Sequence, residues 1–132
     1  MRNAMVLTLL VVVLAAGGCA DSLSRSRAKG PAIGHNVYFA LNDDSAAAQA
    51  ELVDECYTYL KNHPGVTFFA AGTLVAEHDR EVNVRDWDVG LHVVFVDKAH
   101  HDLYQKAADH QTFIDRNKDN WKTVRVFDTA IK

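Results

Sequence analysis

The chain has 132 residues, with 14 Lys+Arg against 17 Asp+Glu and a formal net charge of −3. A net-acidic chain lacks the basic footprint that nucleic-acid phosphates demand, so no nucleic-acid partner is expected. No long basic amphipathic helix is present to lie on a membrane.

The first eighteen residues read as a secretory signal. Arg2 gives a positive start, Ala4 to Leu14 is an apolar run broken only by Thr8, and small residues lead to Cys19. The run is too short to span a bilayer, which takes ~20 apolar residues. The small residues ending on Cys19 match a bacterial lipobox, in which the cysteine is lipidated and becomes the new N-terminus. The position three residues before it holds Ala16 where leucine is usual. Ordinary secretion with cleavage after Ala20 is the alternative. The lipoprotein reading makes 1–18 a signal peptide and 19–34 a lipidated tether rich in small and polar residues. It places the protein in the bacterial cell envelope, held at a membrane through lipid on Cys19. The only other cysteine, Cys56, then has no partner within the chain, and the core must stand without a disulfide.

The domain occupies 35–132. His35 to Leu41 alternates as a strand, and Asn42 to Ser45 is a turn with helix-capping residues. A helix follows from about Ala46 to Asn62, with Leu52, Val53, Cys56 and Leu60 as its apolar stripe, and His63-Pro64-Gly65 ends it. Val66 to Ala76 is a second strand and Glu77 to Asp86 a polar connection. In the third strand Trp87, Val89, Leu91, Val93 and Phe95 share one face, and the polar face vanishes at Val94–Val96. Asp97 caps the next helix, whose apolar positions are Leu103, Tyr104 and Ala107, with His110 and Phe113 to follow if the chain stays helical. Asp109 to Trp121 is an irregular helical piece. Lys122 to Ile131 is a last strand with Val124, Val126 and Asp128 on one side. The order β-α-β-β-α-β is that of an α+β ferredoxin-like fold, a four-stranded sheet with both helices on one face. The uncovered face also carries apolar side chains, so a homodimer is expected.

These features, in this order, resemble the stress-responsive alpha/beta barrel (Dabb) family of dimeric alpha/beta barrels. The resemblance rests on the strand beginning at His35, the helix ending at Pro64-Gly65-Val66, the strand Trp87–Phe95, Tyr104, the segment Asp109 to Phe113, and Phe127-Asp128. Family members read Pro-x-His-x-x-Phe where Ala108 stands here. The family has no shared reaction. Many members are linked only to stress responses, while one plant member, olivetolic acid cyclase, closes a polyketide ring with a Tyr–His pair. The resemblance places that pair at Tyr104 and His110, and a ligand pocket at His35, Val37, Leu52, Cys56, Leu91, Phe113 and Trp121. Helix positions that are aromatic in the cyclase are Leu52, Val53 and Cys56, and a strand histidine is replaced by Val89, so the cavity is expected to differ in shape.

Two readings of Tyr104 and His110 follow. Histidine titrates near neutrality and can take a proton beside a carbonyl, and a tyrosine hydroxyl can donate to an enolate oxygen. Alternatively the two side chains only brace a loop through hydrogen bonds. The corresponding functions are a module that binds a small hydrophobic ligand without catalysis, the reading preferred here, or a cofactor-free enzyme, a cyclase-like lyase or a monooxygenase. An open pocket holding both residues favours the enzyme. No cofactor and no metal are expected: no His-x-x-x-His or Cys-x-x-Cys spacing occurs, and His100 and His101, being adjacent, leave a helix ~100° apart.

Overall fold

The computed structural model describes residues 30–132. The signal 1–18, Cys19 and the tether as far as Lys29 lie outside the described residues. The elements are β1 (Ala32–Leu41), α1 (Ala46–Tyr59), β2 (Val66–Thr73), β3 (Val89–Phe95), α2 (Lys98–Lys106), α3 (Ala108–Asn117), a 3-10 turn (Lys118–Asn120) and β4 (Trp121–Ile131). The strands form one antiparallel sheet in the order β2-β3-β1-β4. This is the ferredoxin-like α+β fold, with its second helix split in two. No helix of the described residues is long and apolar enough to cross a membrane.

Alternation fixes the core. Val37, Phe39 and Leu41 of β1 and Val89, Leu91, Val93 and Phe95 of β3 are buried under the helices, because a strand sends every second side chain to the same face. Leu52, Cys56 and Leu60 answer from α1, and Tyr104 and Phe113 from α2 and α3. β1 starts at Ala32, three residues before the sequence expectation, because the pairing with β3 and β4 runs on through Ile33 and Gly34.

Turn chemistry holds the ends. Ser45 Oγ accepts from Ala48 N–H at 3.3 Å and caps α1. Gly65 adopts φ +81°, where an L side chain is strained, and a Cβ there would sit 2.3 Å from the His100 ring. Its carbonyl accepts from Val96 N–H, tying this turn to the end of β3. Buried Asp97 caps α2, its Oδ1 accepting from His100 N–H at 3.0 Å.

Three details depart from expectation. Leu103, assigned to the buried stripe of α2, is 65% exposed, and Tyr104 alone anchors that helix in the core. Trp87 precedes β3 and packs on the outer face, 4.9 Å from the Tyr38 ring. Gly90 makes room for it, since a Cβ there would lie 3.3 Å from the indole. β2 ends at Thr73 instead of Ala76.

Candidate functional site

The helices do not cover the sheet evenly. α1 lies over β2 and β3, while β4 is an edge strand whose inner face is only partly roofed by α2 and α3. Val124 and Val126 therefore keep 39% and 50% exposure. The gap is a half-open cavity of about 410 Å³, within the ~300–1,000 Å³ of small-molecule sites. Its apolar end is walled by Phe39, Phe113, Ile114, Trp121 and Val124, and its floor by Val37, Leu91 and Val126. The polar end holds His35, His101, Tyr104, Gln105, His110 and Asp128.

Tyr104 is the centre of that end. Its ring lies 4.5 Å from His110, 5.0 Å from His63 and 5.9 Å from His35. The contact with His110 depends on the break between α2 and α3. Six residues along one continuous helix would put the two side chains ~120° apart around the axis. Ala107 instead is extended, with ψ 144°, and the chain turns back so that the rings meet. This is the conformation that a following proline would favour, yet Ala108 stands there. Hydrogen bonds hold the break: Gln111 donates from its side-chain amide to the Gln105 carbonyl and from its backbone N–H to the Ala107 carbonyl.

Burial sets the protonation states. It lowers the His110 pKa, and the His35, His63 and His101 charges lower it further, outweighing a backbone hydrogen bond to Gln105 that raises it. Burial also lowers His35, although Asp128 Oδ1 lies 2.6 Å from its Nδ1 and favours the proton. Tyr104 is driven up, chiefly by burial, so its hydroxyl keeps its proton and is able to donate it in a hydrogen bond. Cys56 is pushed up to about 12 by burial and then by Glu55, which leaves an inert thiol.

Two buried side-chain nitrogens among the described residues have no hydrogen-bond partner, His110 Nδ1 and Trp121 Nε1. Both residues line the cavity. Buried polar atoms are nearly always paired, so two orphans on residues of one cavity mark places where something else supplies the partner.

A family model for the stress responsive A/B barrel domain, Dabb, matches residues 33–131. The chain belongs to the Dabb family. A Dabb protein of ferredoxin-like fold from Mesorhizobium loti is 22% identical with a TM-score of 0.65, over 77% of this chain and 98% of that one. A dimeric ferredoxin-like protein of unknown function from Thermobifida fusca is 17% identical with a TM-score of 0.63, over 78% and 93%. A hydroxynitrile lyase from Passiflora edulis is 15% identical with a TM-score of 0.62, over 79% and 96%. No curated protein matches the chain.

Of the residues that the Dabb resemblance singled out, the structure gathers Tyr104, His110, His35, Val37, Leu91, Phe113 and Trp121 around one cavity. Leu52 and Cys56 are not in its lining: they face the core from α1, almost wholly buried, and from that helix's apolar stripe Leu60, at its C-cap, lines the cavity. The sequence reading missed His101, Gln105 and the role of Asp128. His35, His101 and Asp128 bring one ligand atom each to within 4.8 Å of one another. The signal for Asp128 was present, since alternation placed it on the face of Val124 and Val126. His101 had none, because its neighbours there come from β1 and β4.

Proposed function

We propose that this Dabb domain binds a small ligand with an apolar body and a carbonyl end, and that Tyr104 and His110 move a proton on it. The observation that carries the reading is that Tyr104 and His110, their rings 4.5 Å apart, both line a half-open cavity while His110 Nδ1 has no hydrogen-bond partner. A neutral imidazole keeps one lone pair. His110 takes the proton from the carbon next to the carbonyl, the electron pair moves to the oxygen, and the Tyr104 hydroxyl donates a hydrogen bond to the enolate. The Trp121 N–H supplies a second donor for a polar group of the ligand. The enolate then either adds to a second carbonyl of the same molecule, the alkoxide so formed taking the proton from His110, or takes the proton back at carbon. A hydroxynitrile lyase on the same fold indicates only that the scaffold accommodates an enzyme; the chemistry here rests on this chain's residues.

The test uses a phenyl-substituted β-diketone, read by tryptophan quenching and by deuterium exchange at the central carbon. Wild type is expected to bind saturably and to accelerate exchange. His110→Ala should weaken binding by about 1 kcal/mol and abolish the acceleration, and Tyr104→Phe should slow it ~100-fold. Binding without accelerated exchange sinks the proton-transfer part. Lowered melting temperature in both variants, with no compound of a broad screen shifting the wild-type melt, sinks the whole reading.

A second copy is proposed to cover the outer sheet face, in keeping with neighbours described as dimeric. Anchoring to the cell envelope through lipid on Cys19 is proposed from the sequence pattern alone. An unlipidated mature N-terminus by mass, or Cys19→Ala remaining in the membrane fraction, removes that proposal.

A further inference from the structure

We propose that His35, His101 and Asp128 bind a divalent transition-metal ion of the zinc type at the polar end of the cavity. Three elements contribute: His35 from β1, His101 from α2 and Asp128 from β4. Two nitrogens face the same carboxylate oxygen, His35 Nδ1 at 2.6 Å and His101 Nε2 at 4.0 Å from Asp128 Oδ1. Two imidazoles and one carboxylate are a donor set that zinc and iron(II) accept, with further coordination positions left open.

The surroundings of His101 point the same way. Its Nδ1 lies 3.4 Å from Asp102 Oδ1. A carboxylate on the far nitrogen keeps the proton there and directs the Nε2 lone pair at the cluster, the arrangement common behind metal-bound histidines. The Gln105 amide nitrogen, 3.2 Å from Nε2, occupies that lone pair and is a side chain free to swing away. A plain His35–Asp128 hydrogen bond accounts for the shorter distance, and it leaves His101 Nε2, 4.0 Å from the same oxygen, close enough to join a shared ion once Gln105 moves off.

The ion fits with small movements. Bonds of ~2.0–2.2 Å place neighbouring donors ~3.0–3.5 Å apart, so the shorter distance opens and the longer one closes by less than about 1 Å. Asp128 is half exposed and can supply that shift. The ion takes the place of the proton between His35 Nδ1 and Asp128, and that proton moves to Nε2 of the same ring. The open positions face the cavity, where water or an anionic ligand oxygen completes the shell. The site does not depend on the Tyr104–His110 reading, whose test is run in chelator.

The experiment titrates the untagged full chain, stripped with chelator, with Co²⁺ followed by visible absorption, and then displaces it with Zn²⁺. One saturable ion per chain is expected. Asp128→Asn and His101→Gln should abolish it, and Asp102→Asn should weaken it ~10-fold or more. His78→Gln and His92→Gln should leave it unchanged. Melts in chelator check that the variants fold; if Asp128→Asn and His101→Gln do not, Asp102→Asn decides. No saturable binding overturns the site. So does binding indifferent to Asp128→Asn and His101→Gln, or, where it decides, to Asp102→Asn.

Discussion

The buried histidines tie stability to pH in a definite direction. His110 and His35 both titrate below the usual imidazole value of 6.5, burial being the largest cause for each. Well above 6.5 neither folded nor unfolded chain holds these protons, and their contribution is fully present. As pH falls, the unfolded chain takes them up first, so stability is lost until pH has passed the folded values. The carboxylates held low, Glu55 by Arg116 and Asp102 by Lys98, lose their contribution only in the carboxylate range, at lower pH. In chelator the melting temperature should therefore be flat above about pH 7 and fall toward about pH 5. His110→Gln should flatten that fall. A melting temperature that rises on mild acidification would mean that the folded chain gains these protons, and that the polar end of the cavity is wetter than its geometry implies.

At the scale of elements, legibility followed how local each cause is. β1, β3 and α1 were readable because alternation and the 3.6-residue stripe are written in consecutive residues, and because Pro64-Gly65 punctuates the helix. The Asp97 cap was readable for the same reason. The break before α3 was legible in part: the sequence reads as a separate, irregular helical piece from Asp109, but neither Gly nor Pro marks Ala107 as its place. Gln111 makes it from four residues further on. Without the break Tyr104 and His110 would diverge, so the site depends on a feature that the sequence marked only loosely. Of the residues to which the family resemblance pointed, Tyr104 and His110 line the cavity, whereas Leu52 and Cys56 are buried in the core. The His35–His101–Asp128 cluster was invisible for a third reason: sheet pairing sets His35 opposite Asp128 in the β1–β4 register, and only the packing of α2 on the sheet brings His101 to them.

For the whole molecule, the outer sheet face decides the assembly. Tyr38 sits in its middle, with Trp87, His92 and Phe127 rings at 4.9, 5.8 and 5.9 Å. Phe68 and Phe127 are more than half exposed there, and exposed Val82 and Val84 flank the face from the connection between β2 and β3. Tyr38, Val82, Val84, Trp87, His92 and Phe127 line a groove of about 560 Å³ on this face. An apolar aromatic surface of this kind on a lone domain costs solubility and calls for a cover. A second sheet packed ~10 Å away would supply one, with aromatic side chains from both copies interleaving. A chain beginning at Gly30 should then sediment at twice its mass at micromolar concentration, as expected for the large apolar interfaces of obligate homodimers. Phe127→Asp should shift it to monomer, because two buried carboxylates would face an apolar layer. Val126→Asp, one residue away but pointing into the half-open cavity, should leave the mass unchanged. That contrast between adjacent residues of β4 separates a face-specific interface from general damage to the strand. A monomeric wild-type chain would leave the aromatic face without its proposed cover, and a dimer that survives Phe127→Asp would put the interface on another surface.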